Sequence, residues 1–383
     1  MTIKVAHVIT RLDLGGAQQN TLHTVRTLDR ARFSPLLVCG EGGYFDEEVR
    51  RDSSLRTVFL PALAREVSPG RDLLALFQLA NLFLAEKPDI VHTHSSKAGI
   101  LGRLAAALAG VPVVVHTYHG FGFHDYQNAL VKSVYVALER LCAPLTTKLI
   151  FVSRANANYA ERHGLGRVAD AALIRSGVRL ADFPATVDKD AFKMSMGIGR
   201  HKMLVVSIGN LKPQKNAADF VEAAARTSKV TPEARFVFIG DGPQRRRLEA
   251  KAFALGLNDR LFFMGWRHDA ARWLAAADVF ALTSLWEGLP RALVEAMRSG
   301  LPSVCYATDG VVDLLADGVN GLLAAPGDVD AFSKKMTDLL LDAQLRARLG
   351  AAARAAIGPE FDSDEMVRAQ ERLYLELLEG RRD

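Results

Sequence analysis

Cysteine is nearly missing from this chain: there are three in 383 residues, Cys39, Cys142 and Cys305. They are scattered, and each lies in an apolar run, which excludes a disulfide frame and a zinc knuckle and predicts reduced, buried thiols. Long hydrophobic runs are missing too. The longest, "LLALFQLANLFLA" from Leu73 to Ala85, is interrupted by Gln78 and Asn81 and is too short to cross a bilayer. No block of one charge occurs either. The formal net charge is +5, and the densest basic run, "QRRRLEAK" from Gln244 to Lys251, follows a helical pattern without interleaved aromatics. It reads as a solvated helix face, so no nucleic-acid partner is expected. The chain opens on "MTIKVAHVIT", a strand pattern from the start, so a secretory leader is not expected. These absences point to a cytoplasmic protein that at most lies on a membrane surface.

What is present is a rhythm. Hydrophobic residues make up 49% and charged residues 24%, which with this length suits two globular domains of similar size. Short β-branched runs alternate with longer helical patterns nearly throughout. The strand candidates of the first half are "IKVAHVI", "PLLVCG", "RTVFL", "DIVHTH", "PVVVHTY" and "KLIFVS". Those of the second half are "KMLVVSIG", "RFVFIG", "LFFMG", "DVFALT", "PSVCY" and "GLLAA". Most are apolar on both faces, as strands of parallel sheets covered on both sides by helices must be, so the fold class expected is doubly wound α/β. The rhythm pauses from Ser176 to Gly199, where Pro, Asp and Gly cluster. This predicts a first Rossmann-like domain over 1–182, a linker over 183–199 and a second Rossmann-like domain over 200–358. A closing helix over 359–383 is expected to return to the first domain.

Ligands of doubly wound sheets bind at the carboxyl ends of strands, so the loops there carry the chemistry. After the first strand, Gly15 and Gly16 open a helix, where a phosphate approach and plain turn geometry are equally good explanations. In the second half "SIGNLKPQKN" puts Lys212 and Lys215 at a helix start, a position that disfavours a cation unless an anion arrives. "FIGDGPQ" lacks the third glycine of a dinucleotide fingerprint and is not read as one. The most informative stretch is "SLWEGLPRALVEAM", Ser284 to Met297. Pro290 suits the first helical turn, so Glu287 lies in the loop beside the free N–H groups. Glu295 lies more than a turn inside, roughly 6–8 Å along the axis. The two cannot grip one atom, but they suit an elongated ligand with hydroxyls at both ends and a diphosphate at the helix tip. A sugar nucleotide has that layout. Glutamates that merely match the helix dipole are the structural alternative.

"EGLPRALVEAM" resembles the two-glutamate motif of family-4 glycosyltransferases, retaining enzymes of the GT-B fold. The resemblance extends through Gly15-Gly16, "VHTHSSKAGILGRLAA", "HTYHGFGF", "SGVRLADF", "LKPQKN", "GDGP", "FMGWRHD", "AAADVFALTSLWEGLP" and "DGVNGLL", in the family's order. It implies two Rossmann-like doubly wound domains facing each other across a cleft, and no cofactor beyond the nucleoside-diphosphate sugar that serves as substrate. The run "HSSKAG…HG" is most similar to bacterial members that build capsule, exopolysaccharide, O-antigen or other lipid-linked glycans. By this resemblance the catalytic set is His119 facing the sugar, Glu287 touching the donor sugar and Lys215 pairing with the diphosphate. The donor pocket would take in Gly15, Gly16, Asn210, Lys212, Gly242, Gly265, the run Gly288, Leu289, Pro290, Arg291 and Ala292, and Glu295 on the ribose hydroxyls. His94 and Lys97 would lie on the acceptor side, near a carrier phosphate. Many relatives have an arginine where this chain has Asn210, and a glutamate where it has Asp313.

A metal-dependent transferase would hold the diphosphate on an Asp-x-Asp motif after a strand. Asp188-Lys-Asp190, Asp328-Val-Asp330 and Asp362-Ser-Asp364 match the letters but fall in the linker or at helix starts, and read as caps. The expectation is therefore metal-free, retaining transfer of a hexose or N-acetylhexosamine from a UDP- or GDP-sugar to a saccharide on a polyprenyl-diphosphate carrier, with peripheral contact to the inner membrane. The helix "NALVKSVYVALERLCAPL" is the segment that could graze a bilayer, though core packing explains its apolar residues as well. Three other readings stand beside this one. A sugar-nucleotide 2-epimerase would use the same donor pocket without an acceptor. A non-catalytic sugar-nucleotide-binding subunit would keep the pocket alone. An amidohydrolase-like metal enzyme would use His92-x-His94 as ligands, since on a strand the two point to one face. Base, sugar, acceptor and oligomeric state are not legible.

Overall fold

The computed structural model describes residues 2–381. The chain forms two compact units. One comprises the residues up to Gly177 together with those from Ser363 onward, the other Val178–Asp362. The first runs β1 (Ile3–Ile9), α1 (Gly16–Thr27), β2 (Phe33–Cys39), α2 (Asp46–Arg51), β3 (Thr57–Phe59), α3 (Pro69–Glu86) and β4 (Ile90–His94). It continues with α4 (Ser96–Leu108), β5 (Val113–Tyr118), α5 (Ala129–Cys142), β6 (Lys148–Phe151), α6 (Arg154–Arg162) and β7 (Ala172–Leu173). The second unit holds α7 (Lys189–Ser195), β8 (Met203–Ile208), α8 (Ala217–Val230), β9 (Ala234–Ile239), α9 (Arg245–Ala254), β10 (Leu261–Phe263) and α10 (Ala270–Ala276). Then come β11 (Val279–Leu282), α11 (Arg291–Arg298), β12 (Ser303–Tyr306), α12 (Asp309–Val312), β13 (Leu322–Ala324), α13 (Val329–Leu341) and α14 (Ala343–Ala355). The last helix, α15 (Ser363–Glu379), belongs to the first unit.

Both sheets are wholly parallel and share one winding. The first has the order β3-β2-β1-β4-β5-β6-β7 and the second β10-β9-β8-β11-β12-β13. Each therefore reverses direction once, between β1 and β4 and between β8 and β11, and a doubly wound sheet presents its ligand loops at that switch point. The strands are apolar on both faces because both faces are covered: every residue of β4, β5, β11 and β12 is buried.

The core of the second unit is one cluster, with Phe220, Val221 and Ala224 of α8 packed on Val205, Phe236 and Phe238 of the sheet and on Phe332 and Met336 of α13. In the first unit, α15 covers the lower part of the sheet. Its Met366, Val367, Leu373 and Tyr374 repeat at helical spacing and pack against Val5, Phe33, Ile90 and Val113. Fully burying each such side chain is worth roughly 1.5–3 kcal/mol as an upper bound.

The segment expected to be a linker is structured. Asp188 caps α7 by accepting from the Ala191 N–H at 3.0 Å. Phe192 then lies edge-on to Trp273, and the buried Lys193 ammonium reaches Asp278 at 2.7 Å. Tertiary packing on α10 has thus recruited a stretch whose letters look like a connection. Asp328 likewise caps α13 through Ala331 at 2.9 Å. All three cysteines are free and buried. Among the described residues no helix is long and apolar enough to cross a membrane.

Candidate functional site

At the switch point of the second sheet, two loops are stitched together by their backbones. The loop after β8 ends in a short turn, Pro213–Lys215, followed by Asn216 at φ +43°, a left-handed position that the Asn216 side chain supports by donating to Asp219 at 2.7 Å. Thr283, just after β11, donates its hydroxyl to the carbonyls of Lys215 (3.1 Å) and Asn216 (3.0 Å). Gln214 donates to the Trp286 carbonyl at 2.9 Å, and the Leu285 N–H donates to the Gln214 carbonyl at 2.9 Å. These bonds hold Lys215 against Glu287, and the ammonium and carboxylate form a direct ion pair. The Glu287 side chain is only 7% exposed and that of Lys215 15%, so the pair lies largely out of water. Breaking one partner of so buried a pair leaves an uncompensated charge.

Glycines explain how the loops come so close. A Cβ on Gly240, itself at φ +136°, would meet the Gly209 carbonyl oxygen at 1.8 Å. One on Gly310 would meet the Gly288 carbonyl oxygen at 2.1 Å. Gly242 is tight in the same way against the Leu211 carbonyl oxygen at 2.7 Å, while Gly209 faces the Lys215 stem at 3.0 Å. The "GDG" stretch is therefore a packing device beneath the Asn210–Lys215 loop. Asp309 adds a hydrogen bond, accepting from the Glu287 N–H at 3.3 Å.

Pro290 caps α11 in extended conformation, one residue earlier than expected, and the helix begins at Arg291. Glu295 is half-buried one turn inside. Desolvation pushes its carboxyl above the usual range, and Arg291 on the same helix face opposes that push. The Asn210 side-chain oxygen, Oδ1, is buried and has no partner among the described residues. Of the expected donor set, Asn210, Lys212, Lys215, Gly242, Glu287 to Ala292 and Glu295 all lie on the loops or helix start that follow β8, β9 and β11, while Gly265 follows β10.

The first unit carries a different chemistry at its switch point. Gly15 caps α1 in fully extended backbone, and a Cβ there would meet only the end of the flexible Gln18 side chain. Backbone geometry does not demand that glycine. The ends of β1 and β4 are joined by the Thr10 and Ser95 hydroxyls at 2.9 Å, with Ser95 at φ +65°.

Register sets the histidines side by side, with His7 opposite His92 and Thr93 opposite His116. His92 bonds Tyr374 Oη (2.5 Å) and Thr117 Oγ1 (2.7 Å) through its two ring nitrogens. His94 bonds His7 Nδ1 and His119 Nε2, both at 3.1 Å. Burial drives His92, His94 and His116 well below the ordinary histidine range and His7 down to about 3, so these four are neutral imidazoles. His7, His92 and His94 bring ligand-capable atoms within 4.8 Å of one another. Hydrogen bonds nevertheless occupy every ring nitrogen of the three except His7 Nε2, so the donor set is spent on protein partners.

The acceptor-side expectation needs revision on geometry. His94 is 2% exposed and lies behind His119. The Lys97 ammonium pairs with Asp72 at 2.5 Å and donates to the Glu66 carbonyl. Neither side chain stands open to a ligand. His94 closes β4 and Lys97 lies in the first turn of α4, where sequence reasoning could find them, but their partners come from β1, the turn after β5 and α3 and are not visible in any local motif. The same holds for Thr283, Gln214 and Asp309. Of these, Thr283 alone lies close to a glutamate in sequence, and Gln214 falls in the "LKPQKN" stretch.

Two family models match the chain, the 4-like glycosyl transferase domain over residues 15–177 and the group 1 glycosyl transferases over residues 188–356. Among curated proteins it is 38% identical over 334 residues, 86% of either chain, to the UDP-Gal:alpha-D-GlcNAc-diphosphoundecaprenol alpha-1,3-galactosyltransferase of Escherichia coli. It is 26% identical, over 85% of this chain and 86% of the relative, to the N,N'-diacetylbacillosaminyl-diphospho-undecaprenol alpha-1,3-N-acetylgalactosaminyltransferase of Campylobacter jejuni. In structure it is similar to Anabaena HepE solved with UDP and glucose, with TM-score 0.84, 22% identity, 98% of this chain and all of that one. It is similar also to sucrose-phosphate synthase of Thermosynechococcus elongatus, with TM-score 0.85, 21% identity, 99% of this chain and all of that one.

Proposed function

The chain belongs to the group 1 glycosyl transferases with a 4-like N-terminal domain, and from that premise we propose that it moves a hexose from a UDP-sugar to a saccharide carried on a lipid diphosphate. The observation that carries the reading is the Lys215–Glu287 ion pair at the second switch point, beside the start of α11. A nucleoside-diphosphate sugar offers that locus what it needs. Its diphosphate takes the Lys215 ammonium and the N–H groups at the α11 tip, its sugar hydroxyls take the Glu287 carboxylate, and its ribose hydroxyls take Glu295.

Transfer breaks the bond between the anomeric carbon and the diphosphate oxygen and forms one from that carbon to an acceptor hydroxyl oxygen on the same face. The departing phosphate accepts the acceptor's proton. Growing negative charge on the leaving group is met by Lys215 and the helix tip, a preorganised electrostatic arrangement with no metal required. UDP-galactose is the donor to try first, given the Escherichia coli relative. Incubation with an N-acetylglucosamine-diphospholipid should yield a disaccharide-lipid whose new anomeric configuration, read by NMR, matches the donor's. An inverted product removes the mechanism. Isomerised donor without glycan product replaces the reading with the epimerase one.

A lipid-borne acceptor places the work at the cytoplasmic face of the inner membrane. Leu130, Val134, Leu138 and Leu141 line one outward side of α5 and are 74%, 52%, 37% and 60% exposed, so packing in the first unit does not use them. Of the two basic residues of α5, Lys132 pairs with Asp125 on the side of the buried Val136 and Glu139, and the exposed Arg140 is the one left to meet an anionic surface. Co-sedimentation with anionic liposomes should be salt-sensitive and lost in a Leu130→Asp, Val134→Asp variant. Equal sedimentation of that variant contradicts the assignment.

A further inference from the structure

Lys215 owes its place to the residue after it. Asn216 is one of three non-glycine residues at positive φ among the described residues, with φ +43° and ψ +46°, and it turns the chain from the Pro213–Lys215 turn into α8. The left-handed region is unfavourable for a residue with a Cβ, and asparagine tolerates it best when its short amide finds a local partner. Here that partner is Asp219, in the first turn of α8. Its Oδ2 accepts from Asn216 Nδ2 at 2.7 Å, while the Asp219 N–H donates back to the Asn216 carbonyl at 3.0 Å.

Asp219 is itself held. Tyr306, the last residue of β12, donates its hydroxyl to the same Oδ2 at 2.7 Å. Tyr306 is fully buried, and its ring lies edge-on to Phe332 of α13, with 5.1 Å between centroids. Burial, and then the neighbouring Asp219 carboxylate, push that hydroxyl well above the ordinary phenol range, so it stays protonated and donates. Hydrogen bonds to an ionised acceptor are stronger than neutral ones. From the other side Thr283 holds the carbonyls of Lys215 and Asn216. The backbone that carries Lys215 is thus fixed from the end of β11 by Thr283 and from β12 through Tyr306 and Asp219.

We propose that Asp219 is a positioning residue for Lys215: by holding Asn216 in the left-handed turn, it fixes the Lys215 ammonium where a donor diphosphate arrives. The inference rests on the reading of Lys215 as the diphosphate contact, and deepens it by naming the residue that places the cation. Charge alone argues the other way. A carboxylate four residues from Lys215 repels an incoming diphosphate, so on electrostatics its removal should tighten binding. Positioning predicts the reverse for Asp219→Ala, which removes the acceptor. It predicts no loss for Asp219→Asn, which removes the charge and keeps an oxygen that accepts from both Asn216 and Tyr306. The sign of the effect separates the two accounts.

The test has two layers. In ligand-free protein, hydrogen exchange read by mass spectrometry over residues 213–220 should quicken about fivefold or more in Asp219→Ala and keep its wild-type rate in Asp219→Asn. Unchanged exchange in Asp219→Ala overturns the positioning role, whatever the donor does. In calorimetric titration with UDP-galactose, Asp219→Ala should bind about fivefold more weakly than the wild type, and Asp219→Asn no more weakly than the wild type. Tighter binding by Asp219→Ala overturns the proposal, and so does a loss in Asp219→Asn equal to that in Asp219→Ala. Tyr306→Phe leaves Asp219 one of its two donors and should lose less than Asp219→Ala. A greater loss contradicts the order of the chain.

Glycine adopts positive φ freely, so in an Asn216→Gly background Asp219 has no side chain left to hold. There Asp219→Ala should change affinity by less than about twofold, and an equal loss in both backgrounds shows a structural role unconnected with Lys215. Exchange that responds as expected in a protein that binds no nucleoside-diphosphate sugar would overturn the reading of the donor site and leave the hold on the turn standing.

Discussion

The two units share a strand order and a switch point, yet they treat ionisable groups in opposite ways. The first places His7, His92, His94 and His116 inside central strands, where burial strips them of charge and hydrogen bonds use their nitrogens neutrally. The second keeps its charges in loops and on a helix start, where Lys215 and Glu287 neutralise each other and Glu295 is only half-buried. One architecture thus offers two solutions. A group in the middle of a parallel sheet has nowhere to send its charge. A group at the end of a strand can keep it if a partner loop is close.

Breaking the charged side should have the largest effect. Lys215→Ala and Glu287→Ala are each expected to lower turnover on the order of 10²–10³-fold. Because the two side chains act as a unit, the double variant should be little worse than the poorer single one. Additive losses in steady-state kinetics would show that the ion pair is incidental.

The neutral side should break with acid. Histidines whose folded pKa is depressed contribute stability that is present above their ordinary value and is lost as pH falls toward the folded one, so the window lies between about 6.5 and, for His7, about 3. Each contributes a slope of up to roughly 1.4 kcal/mol per pH unit. Glu295 has the opposite sign: raised above its ordinary range, it contributes stability at low pH that is lost as pH rises through its folded value. Amide exchange in β1, β4 and β5 should therefore accelerate below pH 6 while the fluorescence of Trp266, Trp273 and Trp286, all in the second unit, holds steady. Simultaneous loss of both signals would remove the contrast.

Glycines sharpen it further. Gly240→Ala should cost about 3 kcal/mol in thermal unfolding, since its Cβ would fall on the Gly209 carbonyl. Gly15→Ala should cost less than about 0.5 kcal/mol, because only a mobile glutamine tip is in the way. Reduced turnover in a fully stable Gly15→Ala protein would mark that glycine as a substrate contact. The smallest expected effect is that of chelation. EDTA should leave turnover unchanged, and elemental analysis should find zinc well below one per chain, because both ring nitrogens of His92 and of His94 are already held by protein partners. EDTA-sensitive turnover rescued by a divalent ion would contradict both statements.

Much of this was legible in the residues. β-branched runs apolar on both faces announce parallel strands, and the Glu287–Glu295 spacing with Pro290 announces a helix tip bracketed by carboxylates. Lys215 was visible as a cation at an unsuitable helix start. Its pairing with Glu287 was not, since 72 residues separate them and the loops are brought together by hydrogen bonds of Thr283, Gln214 and Leu285. The histidine chain was hidden for the same reason. "VHTH" puts two imidazoles on one strand face, but whether they meet a metal, a ligand or each other depends on the β1–β4 and β4–β5 registers. α7 is not legible in the sequence because its helix depends on the Asp188 cap and on Phe192 meeting Trp273, a tertiary contact.

Calorimetric titration of UDP-galactose into the wild-type protein and Lys215→Ala tests the central claim most directly. Saturable binding by the wild type, weakened on the order of tenfold or more in the variant, is the predicted result. Equal affinity in the two proteins, or no binding of any nucleoside-diphosphate sugar to the wild type, would contradict it.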